Sequence, residues 1–189
     1  MTTAIAIHPL TPDRWPAFEA LMGPKGGVGG CWCMLWRQSK RDHDRNAGAG
    51  NRAAMQALVQ KGPPPGLLAY DGDRCVGWLS LAPRSAFPRL ESSRVLQPVD
   101  DRQVWSITCL LIARGHRRRG IGTALLAAAA DFARTQGATL LEGYPIAPRA
   151  ERYPDAYAWT GLERQFAAAG FVEVARRSET RPIMRKSLG

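Results

Sequence analysis

The sequence predicts an α/β domain, and three stretches carry that expectation. Over residues 104–136 an apolar strand, a turn crowded with arginines and glycines, and an amphipathic helix follow one another. Residues 67–70 and 74–82 read as strands joined by a tight hairpin at Asp71-Gly72-Asp73. A helix over residues 161–169, then Gly170-Phe171, then two further strands close the chain. With 189 residues, 45% of them hydrophobic, the chain can bury one core without metal or disulfide staples, so residues 1–189 read as a single domain.

Taken in order, residues 4–8 form a short first strand. Thr11-Pro12-Asp13 then opens a helix with a capping hydroxyl, a proline at the first position and an acid in the first turn; Trp15, Phe18, Leu21 and Met22 share one side of it. Five glycines within residues 23–30 predict a flexible loop that delivers Cys31-Trp32-Cys33-Met34-Leu35-Trp36-Arg37. This Trp- and sulfur-rich segment is either plain core or the lining of a pocket. A C-x-C pair could supply two thiolates to zinc, but no second pair or spaced histidines lie near it, so no metal site is expected.

The charged segment 38–50 reads as a mobile loop, and His43 between two aspartates as solvated rather than as a base. Asn51 is placed as the cap of a helix through Lys61, with Met55, Leu58 and Val59 inward, and Pro63-Pro64-Pro65-Gly66 stops it. Residues 83–101 are expected to be irregular, with Arg84, Phe87, Arg89, Glu91 and Arg94 bordering a cleft. Residues 104–112, rich in β-branched and large apolar side chains, form a mostly buried strand. Ile121, Leu125, Ala129 and Phe132 then recur at helical spacing with Leu126 and Ala133 beside them, and Gly137 stands where a C-terminal cap belongs. Residues 139–145 give another strand. A long connection over 146–159, holding Tyr153 and Tyr157, leads to the last helix and to strands over 172–176 and 182–186.

The net charge of +10 invites an anionic partner, which could be nucleic acid, a membrane surface or a phosphorylated cofactor. Outside the central turn the arginines are scattered. No helix-turn-helix or finger pattern is present, and aromatics do not alternate with the arginines, which counts against nucleic acid. No run approaches the roughly 18 apolar residues of a membrane span. No signal peptide is visible, and Cys31, Cys33, Cys75 and Cys109 form no C-x-x-C pair, so a cytoplasmic protein with free thiols is expected.

The central turn carries the chemistry. The first amides of a helix lack intrahelical partners and point outward at the positive end of the dipole. Gly120 and Gly122 remove side chains that would keep an anion away, and Arg117, Arg118 and Arg119 add positive charge, so the site suits a phosphate or pyrophosphate. A Walker loop is excluded because Ile121-Gly122 stand where Lys and Ser/Thr are needed. The dinucleotide fingerprint fails because Leu125 stands where its third glycine belongs.

Arg117-x-x-Gly120-x-Gly122 after a strand resembles the acyl-CoA-binding signature of the GNAT superfamily of N-acyltransferases, and the closing helix, Gly170-Phe171 and two strands resemble the end of the same fold. The resemblance runs from about Leu67 to the C-terminus. It implies a twisted mixed sheet of six or seven strands with helices on both faces, and transfer of an acetyl group from acetyl-CoA to an amine by direct attack on the thioester. Carried over, the backbone of Cys109, Leu110, Leu111 and Ile112 would pair with the pantetheine arm. The amides of Arg117, Arg118, Arg119, Gly120, Ile121, Gly122 and Thr123 would hold the pyrophosphate.

An N–H near Leu110 would stabilise the developing oxyanion. An amine with a reference pKa of about 10.4 needs help to shed its proton at pH 7. Glu142 is the first candidate base, with a surface carboxylate paired with an arginine as its competing reading, and Asp100 or Asp101 come next. The family's frequent tyrosine acid is replaced here by Phe166, which leaves Tyr144, Tyr153 or Tyr157, or no acid, to serve the leaving thiolate. A CoA-binding sensor without turnover also fits Phe166. The acceptor is not legible, and neither is the oligomeric state, with a homodimer among the alternatives.

Overall fold

The computed structural model describes residues 4–149 and 158–189. Seven strands form one mixed sheet in the order β1-β2-β3-β4-β5-β7-β6. They are β1 (Ile5–Pro9), β2 (Gly66–Asp71), β3 (Arg74–Pro83), β4 (Trp105–Ile112), β5 (Leu140–Gly143), β6 (Val172–Arg176) and β7 (Pro182–Ser187). Neighbours run antiparallel except β4 and β5, which are parallel.

Helix α5 (Ile121–Thr135) lies on one face of the sheet. It buries Ile121, Leu125, Leu126, Ala129, Ala130 and Ala133 against Leu67, Leu79, Leu81, Ile107 and Leu141. Each fully buried leucine contributes about 1.5–3 kcal/mol, so this apolar stripe, rather than propensity, fixes the helix. Phe132 sits at its edge, with its ring against Trp105 at 6.4 Å. Helix α6 (Glu163–Ala168) joins the same core through Phe166, whose ring meets Phe171 at 5.1 Å.

The opposite face carries α1 (Trp15–Met22) and α3 (Ala49–Lys61), which pack Trp15, Phe18, Met22, Met55 and Val59 with Trp32 and Met34 onto Leu68 and Trp78. A second cluster on this face gathers Phe87, Leu90, Leu96, Tyr144 and Ile183 around the short α4 (Pro88–Glu91). A seam of polar side chains separates the two clusters.

Several local expectations are corrected. Thr11 makes no capping bond; its hydroxyl accepts from Arg14 Nη1 at 2.8 Å, and Pro12–Arg14 form a 3-10 turn ahead of α1. The glycine loop 23–30 is a compact series of turns: Gly27 N–H donates to Met22 O, and Trp32 N–H to Gly26 O. A Cβ on Gly26 would lie 2.0 Å from Trp32 Nε1, so glycine is required there for the indole to pack. Segment 38–50 is not all loop, because Lys40–Arg45 form α2, capped by Ser39 Oγ accepting from Asp42 N–H at 3.1 Å. Asn51 lies inside α3 rather than at its cap. It is buried, and its Nδ2 donates to Gly30 O at 3.0 Å and His43 O at 3.2 Å, tying the glycine turns to the helix.

Candidate active site

The site begins where two parallel strands part. β4 and β5 pair only at Trp105↔Leu141, Ser106↔Glu142 and Ile107↔Gly143, and β4 then continues to Ile112 with no β5 partner. A bulge in the β3–β4 ladder between Ser80 and Leu81 leaves Thr108 as the extra residue. Thr108 and Cys109 thus both face the Trp78 side, while Ile107 and Leu110 face α5. Beyond the bulge the free edge of β4 receives the returning chain: Leu110 N–H donates to Trp159 O at 2.7 Å, and Gly161 sits against the Leu110 side chain. Cys109, Leu110, Leu111 and Ile112 therefore line one side of a wedge. Its other side, at Leu110, is the backbone of Trp159.

The turn from β4 into α5 ends beside this edge. Gly120 is the N-cap of α5 with φ +76°, a conformation that favours glycine, and a Cβ there would meet nothing within 4 Å. The first intrahelical bond of α5 is Ala124 N–H to Gly120 O, so the Ile121, Gly122 and Thr123 amides are left for another acceptor. Gly122 has a different reason to be glycine, since a Cβ there would lie 2.7 Å from Gln165 Nε2. The arginines divide. Arg117 Nε donates to Ile112 O at 3.1 Å, Arg119 Nη1 pairs with Asp71 at 3.1 Å, and Arg118 takes the left-handed backbone at φ 62°. Open space at Gly120, beside amides with no acceptor among the described residues and next to a strand with a free edge, fits a phosphate carried on an extended arm.

Below the wedge a buried polar network joins three strands, through Ser106 on β4, Glu142 on β5 and Arg185 on β7. Glu142 is fully buried; Tyr144 OH donates to its Oε1 at 2.6 Å, Arg84 Nη1 to the same oxygen at 2.9 Å, and Arg185 Nε to Oε2 at 2.7 Å. Ser106 Oγ and Tyr144 OH lie 2.8 Å apart, Arg84 Nε reaches Glu91 at 2.7 Å, and Arg185 Nη1 reaches Asp100 at 2.7 Å. Burial, and then the Glu142 charge, push the Tyr144 phenol well above its ordinary pKa, so it stays protonated. Arg185 and then Arg102 hold the Asp100 carboxyl well below the usual range. To act as a base Glu142 would have to exchange one of three donors for a proton. Arg84 and Phe87 are buried beneath this face rather than standing at an exposed cleft rim.

Phe166, in the position of the family's tyrosine, is core. A Cβ on Gly143 would come within 2.1 Å of its ring, so the aromatic fills the end of β5. Tyr153 and Tyr157 lie outside the described residues.

The Cys31-Trp32-Cys33 segment belongs to the opposite-face core. Trp78 Nε1 donates to Cys33 Sγ at 2.9 Å, and Trp32 and Cys33 both take positive φ. Contact with Cys109 and burial push the Cys33 thiol well above the ordinary range, and burial takes Cys31 to about 11, so neither supplies a thiolate at neutral pH. No group of three or more His, Cys, Asp or Glu able to hold a metal ion occurs among the described residues. No helix among them is long and apolar enough to cross a membrane.

Arg37, Ser106 and Arg185 give little signal in the sequence. Ser106 is one polar residue in an apolar strand, Arg37 and Arg185 stand where apolar runs meet charged ones, and only the sheet brings Ser106 and Arg185 to Glu142. Arg37 lies in the polar seam, with its guanidinium 4.5 Å over the Phe87 ring and its Nη2 donating to Pro65 O at 3.1 Å and Ser80 Oγ at 3.4 Å. Burial pulls its pKa down to about 10.

A mixed seven-stranded sheet that splits between two parallel strands beside a glycine-capped helix start is the architecture of an acyl-CoA-dependent acyltransferase. The chain matches the acetyltransferase (GNAT) family over residues 32–144, more than half its length, and belongs to that family.

No curated protein matches it in sequence. Its fold is that of solved acetyltransferases. Arylalkylamine N-acetyltransferase 2 from Aedes aegypti superposes with a TM-score of 0.60 at 8% identity, covering 99% of this chain and 100% of that one. The protein yncA from Salmonella typhimurium, solved with its cofactor acetyl-CoA, gives 0.55 at 16% identity, covering 99% of this chain and 95% of that one. An N-acetyltransferase from Thermoplasma acidophilum in complex with coenzyme A gives 0.54 at 12% identity, covering 98% and 99%.

Proposed function

We propose that this chain transfers an acetyl group from acetyl-CoA to the amine of an acceptor. The observation that carries the reading is the free edge of β4 beyond Ile107, which leads directly to the open amides at the start of α5. When bound, the cosubstrate supplies an acetyl group activated as a thioester.

In this reading the Ile121, Gly122 and Thr123 amides, with the backbone of residues 117–120, hold the pyrophosphate. Arg118 and Arg117 add charge above it, and Arg119 braces the turn through Asp71. The backbone of Cys109, Leu111 and Ile112 aligns the pantetheine arm, and Leu110 N–H donates to the thioester carbonyl once Trp159 O releases it. A preorganised donor of this kind is worth roughly 3–4 kcal/mol in comparable sites.

Glu142 and Tyr144 we place as positioning residues. They lie at and just beyond the last paired rungs before the strands part, and with Ser106, Arg84 and Arg185 they lock β4, β5 and β7 together. Phe166 leaves the departing thiolate without a tyrosine on α6, which a thiol of pKa near 8.5 tolerates.

The acceptor enters from the face holding Arg37, Ser80 and Thr108. The test is release of free CoA thiol from acetyl-CoA in the presence of a panel of amines. Thiol release that depends on the amine, with an acetylated product, supports transfer. Binding of acetyl-CoA without turnover on any amine would leave a sensor instead.

A further inference from the structure

Three arginines reach into the face of the sheet that the acceptor would approach, and two of them are paired with carboxylates. Arg84 meets Glu91 and Glu142, and Arg185 meets Asp100 and Glu142. Arg37 has no carboxylate partner among the described residues. Its Nη2 donates to two neutral oxygens, and among the described residues its Nε is buried with no acceptor and its Nη1 meets none. A half-buried cation whose Nε is shut off from water without an acceptor is costly unless something else supplies the anion.

A second donor is orphaned in the preceding residue. The Nε1 of Trp36 is buried without an acceptor, its ring is 6.3 Å from that of Trp159, and Arg89 lies over it at 5.8 Å. Trp159 is the residue whose carbonyl holds Leu110 N–H, and Ser80, which Arg37 touches, is paired with Cys109 on the wedge strand and accepts from Thr108 Oγ1 at 3.2 Å. The unused donors thus stand within one strand of the point where the amine must attack. Nothing about folding requires this, since the Phe87 ring under the guanidinium would accept an apolar side chain equally well.

Building on the acetyltransferase reading, we infer that the acceptor is an amine that also carries a carboxylate, such as a free amino acid. Arg37 takes the carboxylate through Nε and Nη1, and Trp36 Nε1 donates to the same group or to a neighbouring oxygen. Amide bonds cap the α-carboxyl of every residue at a protein N-terminus, so protein acceptors lack the α-carboxylate that this arginine would select. Plain arylalkylamines lack it too. In the reaction the amine nitrogen forms the new bond to the acetyl carbon, the carbon–sulfur bond breaks, the sulfur leaves as the CoA thiolate, and the nitrogen loses one proton to solvent. The carboxylate stays unchanged throughout.

The experiment compares each standard amino acid with its amide and with its decarboxylated amine, by thiol release and by the thermal shift each causes in the presence of CoA. The proteins are the wild type, Arg37→Gln and Arg37→Met. The wild type should favour the acid over its amide by about 100-fold in kcat/KM, as loss of a buried charge-assisted pair implies, and both variants should bring that ratio close to 1. Both should bind acetyl-CoA as the wild type does by calorimetry, and Arg37→Met should melt about 2 °C or more higher because the unpaired cation is gone. Equal use of acids, amides and amines by the wild type overturns the inference. So does discrimination that survives in both variants, or failure of every amino acid to be acetylated or to shift the melt. Failure of the wild type to bind acetyl-CoA would instead overturn the acetyltransferase reading beneath it.

Discussion

The backbone N–H of Leu110 donates to the carbonyl oxygen of Trp159 across 2.7 Å, at the point where β4 has lost β5 as a neighbour. An arm lying along β4 must take that donor from Trp159. Cofactor binding should therefore shift the segment at Trp159 and break its contact with Trp36. Titration with acetyl-CoA should give a saturable change in tryptophan fluorescence in the wild type and a much smaller one in Trp159→Phe. Affinity by calorimetry should stay within about tenfold, since the substitution keeps the backbone carbonyl of residue 159 and its bond to Leu110. Identical fluorescence changes in both proteins would mean that Trp159 does not move.

Removing Glu142 strands two guanidinium groups in the core. Glu142→Ala should cost about 3–5 kcal/mol, a fall of roughly 10 °C in melting temperature for a chain of this size. Glu142→Gln keeps the shape and should lower kcat less than tenfold while still lowering the melt. A loss of kcat above about 100-fold in Glu142→Gln, with the acid limb of the pH profile abolished, would make it the base after all.

Asp100 sets the acid end of the stability curve. Its folded pKa is depressed by Arg185 and then Arg102, so its contribution is present above the unfolded carboxylate value of about 3.9 and is lost as pH falls through the folded value. The difference in melting temperature between wild type and Asp100→Asn should be constant from about pH 5 to 8 and shrink below about pH 4. A difference that does not change down to pH 2 would show that the pair with Arg185 contributes nothing in solution.

Gly143 and Phe166 are matched. An alanine at 143 drives its methyl into the Phe166 ring and should cost about 1–3 kcal/mol, measured by denaturant unfolding. Phe166→Leu in the same chain should recover part of that loss, and a coupling energy of zero would contradict the contact.

The strand, turn and helix around β4 and α5 are legible in the sequence because their patterns are local: β-branched run, glycines, 3.6-residue apolar spacing. The hairpin of β2 and β3 and the Gly170-Phe171 ending are legible for the same reason. Asn51 and Arg84 are misplaced by local rules because both are polar residues whose partners are far along the chain, Gly30 and Glu142 respectively. An asparagine ahead of a helical run looks like a cap until a distant carbonyl claims its amide. The α2 helix hides because its charged residues bury nothing and stand on one cap and local ion pairs. The Leu110–Trp159 bond leaves no trace in the sequence, since backbone groups pair without regard to side chain. Arg37 shows nothing unusual until one asks where its counter-charge is.

The central claim is that the start of α5 holds the pyrophosphate of acetyl-CoA, and calorimetric titration of three proteins tests it most directly. Wild type should bind acetyl-CoA and ignore ATP and NAD. Gly120→Asn, which tolerates the left-handed backbone, should still bind, and Gly120→Glu, which sets a carboxylate into the open space beside the α5 amides, should give no binding heat at an unchanged circular dichroism spectrum. Undiminished binding by Gly120→Glu, or no binding by the wild type, would contradict the account.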